Sequence, residues 1–255
     1  IDYYATTYEC PQCKETEDPR FIKDEGTPAL IPGSYASSGL AAHVMYYKYV
    51  MSMPLYRQEK DFEHLGVKIS RTTMASWIIY CAENYFLPMY EYLHRKLLKR
   101  RYLMADETPI QVLKEGGRRP QSKSYVWLVR TGDNGGIPII LYNYTPTRAG
   151  SHAAAFLAGA DPGYYLMVDG YKGYNKVPEA QRCCCWAHIR RYWLRAIPKG
   201  HEKDYTHPAV QGFLYCNKLF EYERSYREKG LSPKQIYHRR LKDQKPVIEA
   251  FLSWL

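Results

Sequence analysis

Two aspartates close apolar segments, a place where an acid is out of keeping. Asp106 follows Tyr102-Leu-Met-Ala105, and Asp169 follows Tyr164-Tyr-Leu-Met-Val168. An ionised carboxylate at the end of a strand core is costly unless a cation or hydrogen-bond donors meet it. If the two segments are neighbouring strands, the carboxylates converge and repel each other, and a divalent metal relieves the repulsion. Oxygen ligands suit Mg²⁺ or Mn²⁺. Two such ions, about 3.5–4 Å apart, activate a water or 3′-OH and stabilise the leaving oxygen of a phosphodiester. The plainer use of Asp after a strand is to cap the next turn. Spacing alone leaves both readings open.

Period and punctuation predict the elements that would hold these acids. Residues 102–113 form a first strand, 124–130 a second and 137–143 a third, with turns over 114–121 and 131–136. A short helix follows over 151–157, opened by Ser151 as cap and closed by Gly159. Residues 164–168 make a fourth strand, and 181–186 a fifth that leads into a helix through Arg195. Three strands, a helix, a strand and then a strand with a helix is the order of the RNase H-like fold. Its first three strands are an antiparallel meander and its fourth pairs in parallel with the first. The expected fold class is mixed α/β, with a five-stranded RNase H-like sheet over 102–195 and a helical segment over 196–255.

Upstream, residues 31–101 are helical in pattern. A helix from Pro54 to Leu65 stops at Gly66, which suits a helix C′ position. Ser70 is an N-cap for a second helix that carries Met74, Trp77, Ile78, Cys81 and Ala82 on one side. Helix, short turn and capped helix is the layout of a helix-turn-helix. Arg71, Thr72 and Thr73 would sit in the first turn of its second helix, where recognition helices meet DNA; an ordinary helical hairpin has the same layout. The polar segment 1–30 holds Cys10-Pro-Gln-Cys13, half of a zinc ribbon that needs four ligands for Zn²⁺ or a turn with two thiols.

The formal net charge is +10 over 255 residues. A surplus of cations favours a polyanion partner, because each phosphate contact releases a counterion. No apolar run approaches the roughly 18–20 residues of a membrane span, and no membrane partner is expected. Seven cysteines, odd in number and partly clustered as Cys183-Cys184-Cys185, argue against a secreted disulfide framework. A reducing bacterial cytoplasm is expected. The chain starts at Ile1 rather than Met and stops at Leu255 inside an apolar pattern, which reads as a fragment.

Three motifs in order, Ala105-Asp-Glu-Thr-Pro109, Val168-Asp-Gly-Tyr-Lys-Gly-Tyr174 and Cys185-Trp-Ala-His-Ile-Arg-Arg191, resemble the transposases of insertion-sequence family sixty-six. Pro54-Leu-Tyr-Arg-Gln58 and Gly66-Val-Lys-Ile-Ser70 fit the same family. The resemblance implies a DDE-type core that nicks transposon ends and joins them to target DNA, with Asp106 and Asp169 as its first two acids, 63 residues apart. It also implies double-stranded DNA and companion proteins of the same element as partners, and a homo-oligomer on DNA. The family's third acid lies in an Asn-Asn-x-x-Glu-Arg segment, and no Asn-Asn occurs in this chain. The in-chain candidate is Glu223, which shares a helix side with Cys216, Leu219 and Phe220. Arg227 at i+4 offers it a plain ion-pair partner. The preferred expectation puts the third acid beyond Leu255, leaving this chain inactive alone.

Cys185 and His188 resemble the Cys-x-x-His signature of several DDE families. They either share a metal or brace the corner between strand and helix, and bracing is favoured because two ligands do not complete a zinc site. Arg148, Arg190 and Arg191, with Arg195 beside them, are candidate contacts to the DNA backbone. Three readings compete with a transposase: a non-enzymatic DNA-binding protein, an RNase H-like nuclease and an inactive remnant.

Overall fold

The computed structural model describes residues 6–23, 28–132 and 136–255. Part of the expected 131–136 turn and parts of the 1–30 segment lie outside the described residues. The chain forms two compact units, Ile1–Glu91 and Tyr92–Leu255.

The first unit opens with an antiparallel pair, β1 (Thr7–Glu9) and β2 (Phe21–Lys23). Three helices follow: α1 (Ser38–Tyr49), α2 (Leu55–His64) and α3 (Arg71–Cys81). Ser37 and Ser70 cap α1 and α3 by accepting from the backbone N–H of Leu40 and Thr73, which satisfies donors that a helix start leaves orphaned. Gly66 takes a φ of +79° after α2, a conformation open to glycine at little cost. Ile31, Ala36, Ala41, Val44, Ile69, Met74, Trp77 and Cys81 form one buried core. Of the face expected of α3, Met74, Trp77 and Cys81 are buried and Ile78 is half-buried, while Ala82 is exposed in the π segment that follows. Gln58, buried in α2, reaches the carbonyls of Val44 and Met53 with its amide nitrogen.

The helix after α3 is broken by a π segment (Ala82–Phe86) before α4 (Leu87–Leu98), which carries the chain into the second unit. A second π segment (Arg240–Gln244) joins α8 (Pro233–Arg239) to α9 (Lys245–Trp254). Each stands two residues before a proline, Pro88 or Pro246. Proline has no N–H for the carbonyl four residues back and its ring crowds that carbonyl. A wider π turn lets the helix run on past the break.

The second unit is built on a five-stranded sheet: β3 (Tyr102–Gln111), β4 (Lys123–Thr131), β5 (Ile140–Thr145), β6 (Tyr165–Val168) and β7 (Gln181–Cys184). Its order is β5-β4-β3-β6-β7. The β3–β4 and β4–β5 pairs are antiparallel, and the β3–β6 and β6–β7 pairs are parallel. This is the RNase H-like arrangement expected of the chain. Alternation of side chains along the strands buries Leu103, Ala105, Trp127, Val129, Leu141, Leu166 and Val168. α5 (Gly150–Phe156) and a 3₁₀ turn (Lys172–Lys176) complete this layer, adding Ala153, Phe156 and Tyr174 to the core.

Two of the boundaries that differ from the sequence reading have a local cause. β5 begins at Ile140, because Pro138 lacks a ladder donor and the Ile139 N–H is bonded instead to the Thr131 hydroxyl. α5 begins at Gly150 with Ala149 as its N-cap, and no side chain caps it.

Beyond β7 come α6 (Trp186–Ala196) and α7 (Pro208–Glu228). An aromatic cluster of Trp186, Trp193, Tyr215, Phe251 and Trp254 ties α6, α7 and α9 together. Gly212 sits inside α7 because a Cβ there would lie 2.4 Å from the Trp193 ring.

Candidate functional site

The parallel register of β3 and β6 pairs Tyr102 with Tyr165, Leu103 with Leu166 and Met104 with Met167. The pairing ends there: Asp106 lies two residues further along β3, and Asp169 lies two residues beyond Met167, just past the end of β6 at Val168. Strand alternation gives Asp106 the side of Met104, and Asp169 that of Met167, opposite the buried Leu103 and Leu166. Asp106 is exposed and Asp169 half-buried. Each uses its Oδ1 locally: Asp106 accepts from the N–H of Glu107 at 2.9 Å, and Asp169 from that of Tyr171 at 2.8 Å. The turn-capping role is therefore present at Asp169, and it engages one oxygen of the carboxylate. The donor set is two carboxylates, hard oxygen ligands that fit Mg²⁺ or Mn²⁺ in kind. Among the described residues no group of three or more His, Cys, Asp or Glu side chains is arranged to hold a metal ion.

Behind the pair lies a buried polar network. Glu107 follows Asp106, so its side chain points to the opposite face, where it is only 1% exposed. Arg148 donates to its Oε1 from Nε at 2.8 Å and from Nη2 at 2.5 Å, and the Tyr174 hydroxyl donates to Oε2 at 2.5 Å. Burial, then the bond to Glu107, push the Tyr174 phenol far above its ordinary range and keep it a donor. The Arg148 guanidinium lies 4.0 Å from the centre of the Tyr171 ring, and the Tyr171 hydroxyl donates to the Arg148 carbonyl at 2.5 Å. Tyr174 meets Trp127 edge to face, and the Trp127 indole N–H donates to Thr145 at 2.8 Å. None of Glu107, Tyr171 and Tyr174 figures among the sequence candidates. The available signal was strand alternation: Leu103, Ala105 and Glu107 share one face, and an acid on an apolar face needs partners. Arg148, read from sequence as a DNA contact, has its guanidinium bonded to Glu107, although 43% of the side chain is exposed.

Glu223 lies on α7 beside a cavity of about 330 Å³ lined also by Met167, Trp186, Leu219, Phe220 and Ile248. Its carboxylate is engaged on both oxygens. Arg240 donates to Oε1 at 2.7 Å and to Oε2 at 2.8 Å, and Gln244 donates to Oε1 at 2.7 Å. The Arg240 bond holds the acid below its ordinary range against the opposing effect of burial. The i+4 neighbour Arg227 donates to the Glu223 carbonyl rather than to the carboxylate. The π turn brings Arg240 and Gln244 onto the same acid.

The other candidates are spread over the chain. The Cys185 N–H donates to the carbonyl of Val168, one residue before Asp169, and its carbonyl accepts from the His188 N–H. The corner is thus braced by backbone, and His188 Nδ1 is buried without a hydrogen-bond partner. Arg190 donates to Asn217 at 2.5 Å and packs on Phe213. Arg191 lines a groove of about 540 Å³ between α6 and α7, with Arg224 across it. In the first unit, Glu59 accepts from the Arg71 N–H at 2.9 Å and lies 3.9 Å from its Nε, while Thr73 bonds the Ser70 hydroxyl. Thr72 is exposed. Cys10 and Cys13 occupy the turn after β1. The Arg20 N–H donates to the Cys13 sulphur at 3.3 Å, and N–H groups led by that of Gln12 lower the Cys10 thiol from its ordinary value.

A mixed five-stranded sheet in this order defines an RNase H-like core. The profile of the Transposase IS66 family matches residues 33–255, and the chain belongs to that family. It is also similar to two uncharacterized proteins of Sinorhizobium fredii (strain NBRC 101917 / NGR234). Protein y4qI is 27% identical over 91% of this chain and 45% of its own length. Protein y4hP is 26% identical over 90% and 44%. The chain spans under half the length of these curated relatives. No helix among the described residues is long and apolar enough to cross a membrane.

Proposed function

We propose that this chain supplies Asp106 and Asp169 as the first two acids of a DDE-type site that cleaves and rejoins DNA phosphodiesters at insertion-sequence ends. The observation that supports this is the parallel pairing of β3 with β6: Asp106 and Asp169 each stand two residues beyond its last pair, Met104 and Met167. Bound there, Mg²⁺ or Mn²⁺ would supply activation of the attacking oxygen and charge stabilisation at the leaving one. Asp106 and Asp169 would hold the cation through their oxygens. The buried face behind them would keep the strands rigid and the acids aligned for an in-line displacement.

The third acid, in this reading, lies outside the present chain. Glu223 is already the acceptor for Arg240 and Gln244, and recruiting it would leave Arg240 without its carboxylate. The surface of α2 and α3, with Arg71 and Thr72, is proposed to meet DNA, and Arg191 with Arg224 to meet its phosphates. Cys10 and Cys13 are proposed as half of a Zn²⁺ site.

The test is Mn²⁺ titration of the purified chain, followed by electron paramagnetic resonance. Wild type should bind weakly, and Asp106→Asn and Asp169→Asn should each lose binding by tenfold or more. Equal binding by all three proteins would refute the proposal. Robust Mg²⁺-dependent strand transfer by this chain, lost in Glu223→Gln, would instead install Glu223 as the third acid.

A further inference from the structure

We infer that Glu107, Arg148 and Tyr174, joined by Tyr171, form a positioning brace that fixes the separation of Asp106 and Asp169. The inference rests on the reading of those two acids as metal ligands.

The connections run without a gap from one acid to the other. Asp106 accepts from the N–H of Glu107. The Glu107 carboxylate accepts from Arg148 and from Tyr174, five residues after Asp169. Arg148 lies over the Tyr171 ring, and its carbonyl takes the Tyr171 hydroxyl. The Tyr171 N–H donates to Asp169. Each candidate ligand thus has one oxygen held by the backbone of a brace residue, Glu107 on the β3 side and Tyr171 on the loop after β6.

Core packing alone does not explain this set. Burying a carboxylate, even when paired, stabilises no better than an apolar group of similar volume. Glu107 gives the sheet something an apolar residue cannot, which is directional bonds to the segment after β6. That segment carries the second proposed ligand, Asp169, and the bonds to Glu107 would hold it against movement away from Asp106. Two glycines let the brace close. A Cβ on Gly150 would lie 2.1 Å from the Gly173 carbonyl oxygen, and one on Gly173 would lie 2.1 Å from the Tyr171 ring. Groups that hydrogen-bond to the ligands of a metal set their orientation and affinity in this way.

The test uses the purified chain and three conservative variants: Tyr174→Phe, which keeps the ring on Trp127; Arg148→Lys, which keeps the charge but not the two-pronged donor; and Glu107→Gln. Two readouts are taken: Mn²⁺ affinity by electron paramagnetic resonance, and amide hydrogen exchange of the metal-free protein over residues 169–173. The brace predicts affinity weaker by about 10–100-fold, together with faster exchange in that loop and unchanged exchange in β4. Asp106→Asn should lose metal without speeding the loop. Brace variants with wild-type affinity and wild-type loop exchange would overturn the brace, while the two-acid reading would stand. Wild-type Mn²⁺ affinity in Asp106→Asn would bring down the two-acid reading and the inference with it, even if the brace variants loosened the loop.

Discussion

Replacing Gly150 by alanine probes the contact on which the Asp169 loop rests. The added Cβ would meet the Gly173 carbonyl oxygen at 2.1 Å, with the Gly173 carbonyl carbon and Cα at 2.6 and 2.7 Å. All three are backbone atoms, so no side chain can swing aside. Relief to even the shortest tolerable approach, near 3.0 Å, needs a movement of about 1 Å between α5 and the loop. Overpacking of this kind costs about 1–3 kcal/mol. The opposing gain from alanine in a helix is at most about 1 kcal/mol, and less in the first turn. The clash wins, with a net loss of about 1–2 kcal/mol. For a unit of this size that lowers Tm by about 2–8 °C. Urea midpoints followed by tryptophan fluorescence measure it, since Trp127 packs on Tyr174. Gly116→Ala is the control: it has open space around it and no positive φ, so its midpoint should stay within about 0.5 kcal/mol of wild type. A Gly150→Ala protein as stable as wild type would refute the claim that α5 presses the loop into place.

Two further outcomes follow from the helical part of the second unit. Gly212→Ala should destabilise despite the helix propensity of alanine, because its Cβ would enter the Trp193 ring at 2.4 Å; a raised urea midpoint would contradict this. Glu223 is held below its ordinary value of 4.5, chiefly by Arg240. A depressed acid contributes stability that is full above its unfolded value and lost as pH falls through its folded one. Urea midpoints of wild type should therefore fall as pH drops below 4.5, and Glu223→Gln should remove that part of the decline; parallel profiles would show that the Arg240 pair carries no such linkage.

Most of the sheet was legible in the sequence, since strand alternation and turn residues are local signals. β3, β4, β6 and β7 lie within two or three residues of their expected bounds. Local reasoning erred where a distant partner decides. Ser151 reads as a cap, yet α5 starts one residue earlier, at the glycine pressed on Gly173. The neighbouring strands of the two acids were legible in part: Asp169 follows β6 as expected, whereas Asp106 lies inside β3, which runs on to Gln111. The surroundings of Arg148 were not: its partner Glu107 is 41 residues away in the chain. Glu223 was singled out as an acid on an apolar helix side, but its partner was misassigned. Arg227 satisfies the i+4 rule, and only the π turn at Arg240–Gln244 brings a guanidinium 17 residues away onto both carboxylate oxygens.

Diffraction from crystals soaked in Mn²⁺, with an anomalous difference map at the manganese edge, tests the metal site most directly. A peak within ligand distance of both Asp106 and Asp169, about 2.0–2.3 Å from their oxygens, is the predicted result. A map with manganese bound elsewhere and no peak between these two acids would contradict the account.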